Sequence, residues 1–307
     1  MEEKIIHIGF PKTGTTYLQK NVYPYLEGIK YYDYKTSDSL FYDIIFLDDL
    51  DYDADKNKET FETYLSGNGV LFSFESLAGA PFIYKGLNRS LIPGRLKGIG
   101  FNKVIITLRN QVDTIDSMYR QYVVQGGVMR FRDFIDLEEK WLLSIRPFNL
   151  GYLQYDKLIN QYYDVFGKEN VLVLLQEDLR RKKQTVIASM ESFTGDTSFQ
   201  EPRRDQSKNE SLSNLSIKLL RICNHFIFTS QKPNNLLSNK ISTYYVRRVF
   251  AVILDPYFLR FFSSKKAFMS EQQKKYLKAF YKPSNERLHA LTGIAFEPNE
   301  QPNASPL

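Results

Sequence analysis

Four short runs of branched and other apolar residues decide most of what this chain can fold into. They are Lys4–Gly9 (KIIHIG), Val70–Phe74 (VLFSF), Lys103–Leu108 (KVIITL) and Asn170–Leu175 (NVLVLL). Each is short and largely lacks the polar alternation of a half-exposed strand, so each reads as a strand covered on both faces. Segments with apolar residues at helical offsets lie between them: Thr15–Tyr25, Val112–Gln125, Phe131–Leu143, Tyr152–Phe166 and Leu179–Phe193. Strand and helix in alternation predict a three-layer α/β fold, a central parallel sheet of about four to five strands flanked by helices.

At the end of the first run the sequence reads Gly9-Phe10-Pro11-Lys12-Thr13-Gly14-Thr15-Thr16. A strand feeding a glycine-containing loop and then a helix start collects backbone N–H groups at one point, and the helix dipole adds positive potential there. Gly14 lets backbone approach an anion, Lys12 brings a cation, and Thr15 and Thr16 offer hydroxyl donors. The spacing from Gly9 to Gly14 is that of a Walker A loop, but Thr15 stands where that motif has lysine. A P-loop kinase reading would take Asp48, at the end of Ile44-Ile45-Phe46-Leu47, as its second acid.

Composition narrows the class. The chain of 307 residues is 43% hydrophobic with 16 Gly and 12 Pro, which excludes disorder and fibrous structure. A single cysteine, Cys223, and three scattered histidines, His7, His225 and His289, argue against disulfides and metal clusters. The excess of 41 Lys+Arg over 35 Asp+Glu gives +6, which suits a nucleotide, an anionic glycan or a membrane surface. No basic stripe with interleaved aromatics argues for nucleic acid. The acidic start, Met1-Glu2-Glu3-Lys4, is unlike a secretion signal, and Asp255, Pro256 and Arg260 interrupt the apolar stretch Val249–Phe262. A cytoplasmic protein without a transmembrane segment is expected.

The loop Phe10–Thr16 resembles the 5′-phosphosulfate loop of sulfotransferases that use 3′-phosphoadenosine 5′-phosphosulfate (PAPS). A second feature agrees: Arg109 directly follows the run Lys103–Leu108, and Ser117 comes eight residues later in the next helix. The resemblance implies a P-loop-like fold, with Pro11, Lys12, Thr13, Gly14, Thr15 and Thr16 around the 5′-phosphosulfate and Arg109 and Ser117 on the 3′-phosphate. Arginine's forked donors suit phosphate, and the C-terminal ends of parallel strands face the ligand crevice. Tyr152–Leu179 is similar to the family's helix, strand and Glu-Asp-Leu segment, with Gln176 where many members carry tyrosine. Arg203-Arg204-Asp205-Gln206-Ser207 occupies the place of the loop that closes over the nucleotide, which implies roles for Arg203 and Ser207. Phe280–Leu288 resembles the C-terminal helix boundary of bacterial members.

In-line sulfuryl transfer needs a cation at the developing charge and a base for the acceptor's proton. Lys12 is the expected cation, with no metal required. Glu75, just past the run Val70–Phe74, is the expected base, and Lys85 and Arg89 are candidates for contact with an anionic acceptor. His7, inside the first run, reads as a packed sheet residue. A hydroxyl acceptor, a carbohydrate above all, is the expected second substrate. A small-molecule kinase and a non-catalytic nucleotide- or polyanion-binding protein are the alternatives.

One domain over 1–307 is expected, with 210–265 as a helical substrate-side or oligomerisation insertion of a possible homo-oligomer. Gln200–Ser216 reads as a loop. The aromatic, basic stretch Leu219–Phe262 is expected to pack against the sheet domain or to form a substrate-side or oligomer surface. Ser270–Tyr281 reads as a closing helix, and 297–307 as a frayed tail.

Overall fold

The computed structural model describes residues 3–33, 39–67, 69–82, 84–136, 146–202, 211–227, 243–263 and 268–296. Its strands are β1 Lys4–Gly9, β2 Lys30–Tyr32, β3 Val70–Ser73, β4 Lys103–Leu108, β5 Ile135–Asp136, β6 Phe148–Asn149 and β7 Val171–Leu175. Five of them form one parallel sheet in the order β2-β3-β1-β4-β7, and β5 pairs with β6 apart from it. The α-helices are α1 Thr15–Asn21, α2 Tyr42–Phe46, α3 Ala54–Leu65, α4 Ile92–Gly98, α5 Gln111–Val124 and α6 Phe131–Phe134. They continue with α7 Tyr155–Phe166, α8 Gln176–Arg181, α9 Lys183–Thr194, α10 Asn214–Cys223, α11 Thr243–Val249 and α12 Glu271–Thr292.

Alternate side chains of each strand enter different cores, as a sheet covered on both faces requires. Ile6 and Ile8 of β1, Phe72 of β3, and Val104 and Ile106 of β4 join a larger core with α3, α4, α5, α7 and α12. Ile5, Leu71 and Ile105 face a smaller core under α1, α8 and α9. The expected strands are therefore present, together with the edge strand β2, which three residues were too few to announce. The chain runs from β1 out to β2 and back through β3, then crosses to β4 and β7. Both neighbours of β1 thus meet at its C-terminal end, the switch point where a crevice opens in such sheets.

His7 is a sheet residue, as its place in the first run implied. Its Nδ1 is 2.7 Å from Ser73 Oγ on β3 and its Nε2 is 3.3 Å from Thr107 Oγ1 on β4. Full burial pushes its pKa down to about 3, so the imidazole stays neutral in the fold and protonates near its ordinary value only on unfolding. Stability is then fully present above about pH 6.5 and is lost as pH falls toward the folded value. Between pH 7 and pH 5 His7 alone should lower the unfolding free energy by about 2 kcal/mol. Denaturant titrations at the two pH values should show this dependence reduced by that amount in His7→Gln.

Tertiary contacts redraw three of the expected helices. The segment expected to be helical over Phe131–Leu143 leaves the helix after Phe134, because Ile135 and Asp136 pair with Phe148 and Asn149; residues 137–145 lie outside the described ones. The segment read as one helix over Leu179–Phe193 is two helices, α8 and α9, that meet at Lys182. The closing helix, expected to stop at Tyr281, continues through Pro283 to Thr292. Packing overrides the missing N–H there: Tyr281 Oη donates to Leu150 O at 2.8 Å, Ser284 Oγ donates to Asp156, and Arg287 Nε donates to Asp156 Oδ2 at 2.6 Å.

The late aromatic stretch packs only in part. Leu220 and Phe250 join the larger core, with Val246, Leu254 and Leu259 packed against it, while Tyr257, Phe258, Phe261 and Phe262 are exposed. Among the described residues no helix is long and apolar enough to cross a membrane.

Candidate active site

The loop after β1 is held tightly by β4. Phe10 N donates to Thr107 O at 3.2 Å, and Thr13 Oγ1 donates to Phe10 O at 2.6 Å and lies 2.8 Å from Thr107 Oγ1. Gly9 is required by this closeness, since a Cβ there would stand 2.0 Å from Thr15 Cγ2. Two loop residues adopt left-handed backbone, Gly14 at φ 86° and Lys12 at φ 69°. For lysine that conformation costs about 1–2 kcal/mol, and residues held so collect at functional sites. Turns of this kind aim N–H groups into an anion-binding concavity.

Beside the loop stands Glu75, on a 3-10 turn (Glu75–Ala78) that begins one residue after β3. Thr15 Oγ1 donates to Glu75 Oε1. Burial pushes the Glu75 pKa above the ordinary carboxylate range, and Lys12 opposes that rise. Lys12 is pushed the other way, down, chiefly by desolvation; Glu75 counters the shift and the positive charges of Arg109 and Arg247 add to it. Lys12 and Glu75 are therefore close enough to set each other's ionisation.

Arg109, the residue after β4, reaches across to the same loop and donates from Nη1 to Lys12 O at 3.3 Å. Its own carbonyl accepts from Tyr155 Oη at 2.8 Å. The next residue, Asn110, caps α5 by accepting from Val112 N at 3.0 Å, and its N–H donates to Glu177 Oε1 at 2.9 Å. The arginine is thus gripped on both sides at the strand end. Arg109 and Ser117 line a cavity of about 740 Å³, with Lys274 and Lys278 of α12 on its wall.

The other expected site residues divide. Pro11 is buried and Thr16 half-buried within the loop and first helical turn. Thr13 is fully buried, and its hydroxyl is engaged with Phe10 and Thr107. Arg89 braces the neighbouring segment: Nη1 and Nη2 donate to the carbonyls of Tyr152 at 2.5 Å and Gly151 at 3.2 Å. Lys85 lies in the turn Tyr84–Ser90, its side chain outside the described residues, as are Arg203 and Ser207 entirely. Gln176 packs over Gly14, and its amide oxygen accepts from Arg180 Nε at 2.8 Å. Asp48 corrects the kinase reading. It follows a helix, α2, and accepts from Leu50 N and Asp51 N in a turn, whereas a Walker B acid ends a sheet strand.

The sequence singled out neither Arg247, whose charge reaches Lys12 from α11, nor the lysines of α12. None of these carries a motif; each comes to the site only through the fold.

The profile of the sulfotransferase domain matches residues 2–291 of this chain. The chain belongs to the sulfotransferase family. Among solved structures, a sulfotransferase from Alicyclobacillus acidocaldarius is similar at 17% identity with a TM-score of 0.55, over 96% of this chain and 98% of that one. A mouse sulfotransferase crystallised with PAP is similar at 14% identity with a TM-score of 0.42, over 95% and 86% of the two chains. No curated protein matches by sequence. The Alicyclobacillus sulfotransferase thus shares the fold, a parallel sheet between helices.

Proposed function

We propose that this sulfotransferase moves the sulfuryl group of PAPS onto a hydroxyl, with Lys12, the loop amides Thr13–Thr16, Arg109 and Ser117 holding the donor and Glu75 acting as base. One observation carries the reading: the ends of β1, β3 and β4 bring Lys12, Glu75 and Arg109 together, with Arg109 bonded to the carbonyl of Lys12 itself. The residues fit such a donor. Left-handed backbone at Lys12 and Gly14 opens a cradle, and Arg109 and Ser117 share a cavity two turns of α5 away. PAPS supplies an activated sulfuryl group whose leaving portion is adenosine 3′,5′-bisphosphate.

The chain's own groups do the rest. Lys12 sets a positive charge against the negative charge that develops during transfer. Glu75, with its basicity raised by burial, takes the proton of the acceptor hydroxyl. Thr15, bonded to Glu75, fixes the carboxylate beside the loop. Lys12 and Arg109 supply the cations that a metal would otherwise bring, so a chelator should leave the rate unchanged. A carboxylate base and the net charge of +6 favour a carbohydrate acceptor.

Calorimetric titration with adenosine 3′,5′-bisphosphate, against ADP with magnesium, tests the reading. Binding of the 3′-phosphorylated nucleotide alone is expected, weakened about tenfold to a hundredfold in Arg109→Ala by loss of charge-assisted hydrogen bonds. A preference for ADP with magnesium, or indifference to Arg109, would overturn it. Binding without transfer to any hydroxyl acceptor would leave a nucleotide-binding protein.

A further inference from the structure

Most surface helices turn apolar residues inward and polar ones outward. The stretch from α11 through the π-helical segment Phe250–Leu259 turns apolar residues outward as well as inward. Inward it buries Phe250, packs Val246, Leu254 and Leu259 half-buried against the larger core, and encloses one carboxylate, Asp255, which is 1% exposed. Asp255 accepts from Ser213 N at 3.0 Å, Ser216 Oγ at 2.5 Å and Arg260 Nη2 at 3.0 Å, which ties the segment to the start of α10. Its outward residues include many apolar ones: Tyr257, Phe258, Phe261 and Phe262 are 57–81% exposed, and Ile222 and Phe226 at the end of α10 are exposed as well. Of the fourteen large apolar side chains exposed among the described residues, eleven lie within residues 211–227 and 243–263. Soluble chains seldom leave so much contiguous apolar surface without an occupant.

Charge selects that occupant. Residues 211–227 and 243–263 carry Lys218, Arg221, Arg247, Arg248 and Arg260, and the single acid among them, Asp255, is buried against Arg260. A second copy of this face would bring like charges together. The headgroup layer of an anionic bilayer offers negative charge at the rim and hydrocarbon beneath, and it accepts tyrosine and phenylalanine at its boundary. Asp255, Pro256 and Arg260 interrupt the apolar run, so the segment suits lying on a membrane and not crossing it.

We propose that the face built from α10 and residues 243–262 docks on an anionic membrane surface. The proposal is independent of the transfer chemistry.

Vesicle flotation of the whole protein tests the proposal, with phosphatidylcholine vesicles with and without phosphatidylglycerol. Flotation with the anionic vesicles is expected, weakening as salt shortens the reach of the charges. The double variant Phe261→Ser, Phe262→Ser should partition at least about tenfold less. Its thermal unfolding should be unchanged, because both rings already stand in solvent. Absence of flotation with either vesicle overturns the proposal, as does a double variant that floats as well as wild type. Light scattering adds a third overturning result: a wild-type dimer that ignores vesicles and becomes monomeric in the double variant assigns the face to a second copy.

Discussion

Glu75→Gln should lower kcat about 10²–10⁴-fold, the range lost with a positioned general base, and should leave the affinity for adenosine 3′,5′-bisphosphate within a few-fold of wild type. Glutamine keeps the shape and can still accept from Thr15 Oγ1, so the change removes basicity and little else. The pH profile separates this role from a structural one. Only ionised Glu75 can take a proton, and its pKa is raised by burial; the wild-type rate should therefore rise with pH through that shifted value. The variant should lack the limb. Stability should move in the opposite direction to activity. A carboxyl whose folded pKa is raised stabilises the fold while protonated, and that contribution is lost as pH rises through the folded value. At neutral pH the neutral glutamine should melt no lower than wild type. A variant that retains its rate within a few-fold would remove Glu75 from the chemistry.

What could be read from the residues follows their range of interaction. β1, β4 and β7 were legible because strands covered on both faces must be continuously apolar. β2 was not, since Lys30-Tyr31-Tyr32 is three residues paired on one side only, with β3. The loop was legible because a lysine between punctuating residues, after a strand, has few other uses, and Arg109 because a strand end fixes where the next side chain stands. Side-chain direction was not legible. Thr13 looks like one of several hydroxyls in the row, yet Thr107, on a strand far along the chain, captures it. Arg89 looks like a free cation, and the carbonyls of Gly151 and Tyr152 claim it. Asp48 follows an apolar run that fits a strand as well as a helix, and its helical fate is settled by packing: Ile44 and Ile45 enter the core, and Arg95 donates to the carbonyls of Ile44 and Leu47 at 3.0 and 2.8 Å. In each case the missing fact is a partner distant in sequence.

The site also shows how its groups depend on one another. Lys12 is exposed as a residue, yet partial desolvation of its ammonium and the charges of Arg109 and Arg247, opposed by Glu75, hold its proton less firmly than on an open lysine. Glu75 is half-buried; that desolvation raises its pKa, and it would ionise still less readily without Lys12. Neither residue has the ionisation it would have alone, and a substitution at either must appear in the titration of the other.

Lys12→Gly should therefore do three things at once. Transfer should fall about 10²–10³-fold or more, the cost of removing a preorganised electrostatic group at the reacting centre. The protein should become up to about 1 kcal/mol more stable, because glycine accepts the left-handed backbone that lysine occupies at φ 69°. The residual activity should shift its pH dependence upward, because Glu75 loses the positive charge that holds its pKa down. Lys12→Ala isolates the backbone effect, since alanine loses the charge and keeps the strain: it should be as inactive as the glycine variant and clearly less stable than it. Denaturant titration and a pH–rate profile on the three proteins read all of this. Equal stability of the glycine and alanine variants would show that the loop relaxes without cost. An unshifted profile would show that Lys12 and Glu75 do not share one electrostatic site, and the proposed division of labour between cation and base would fall with it.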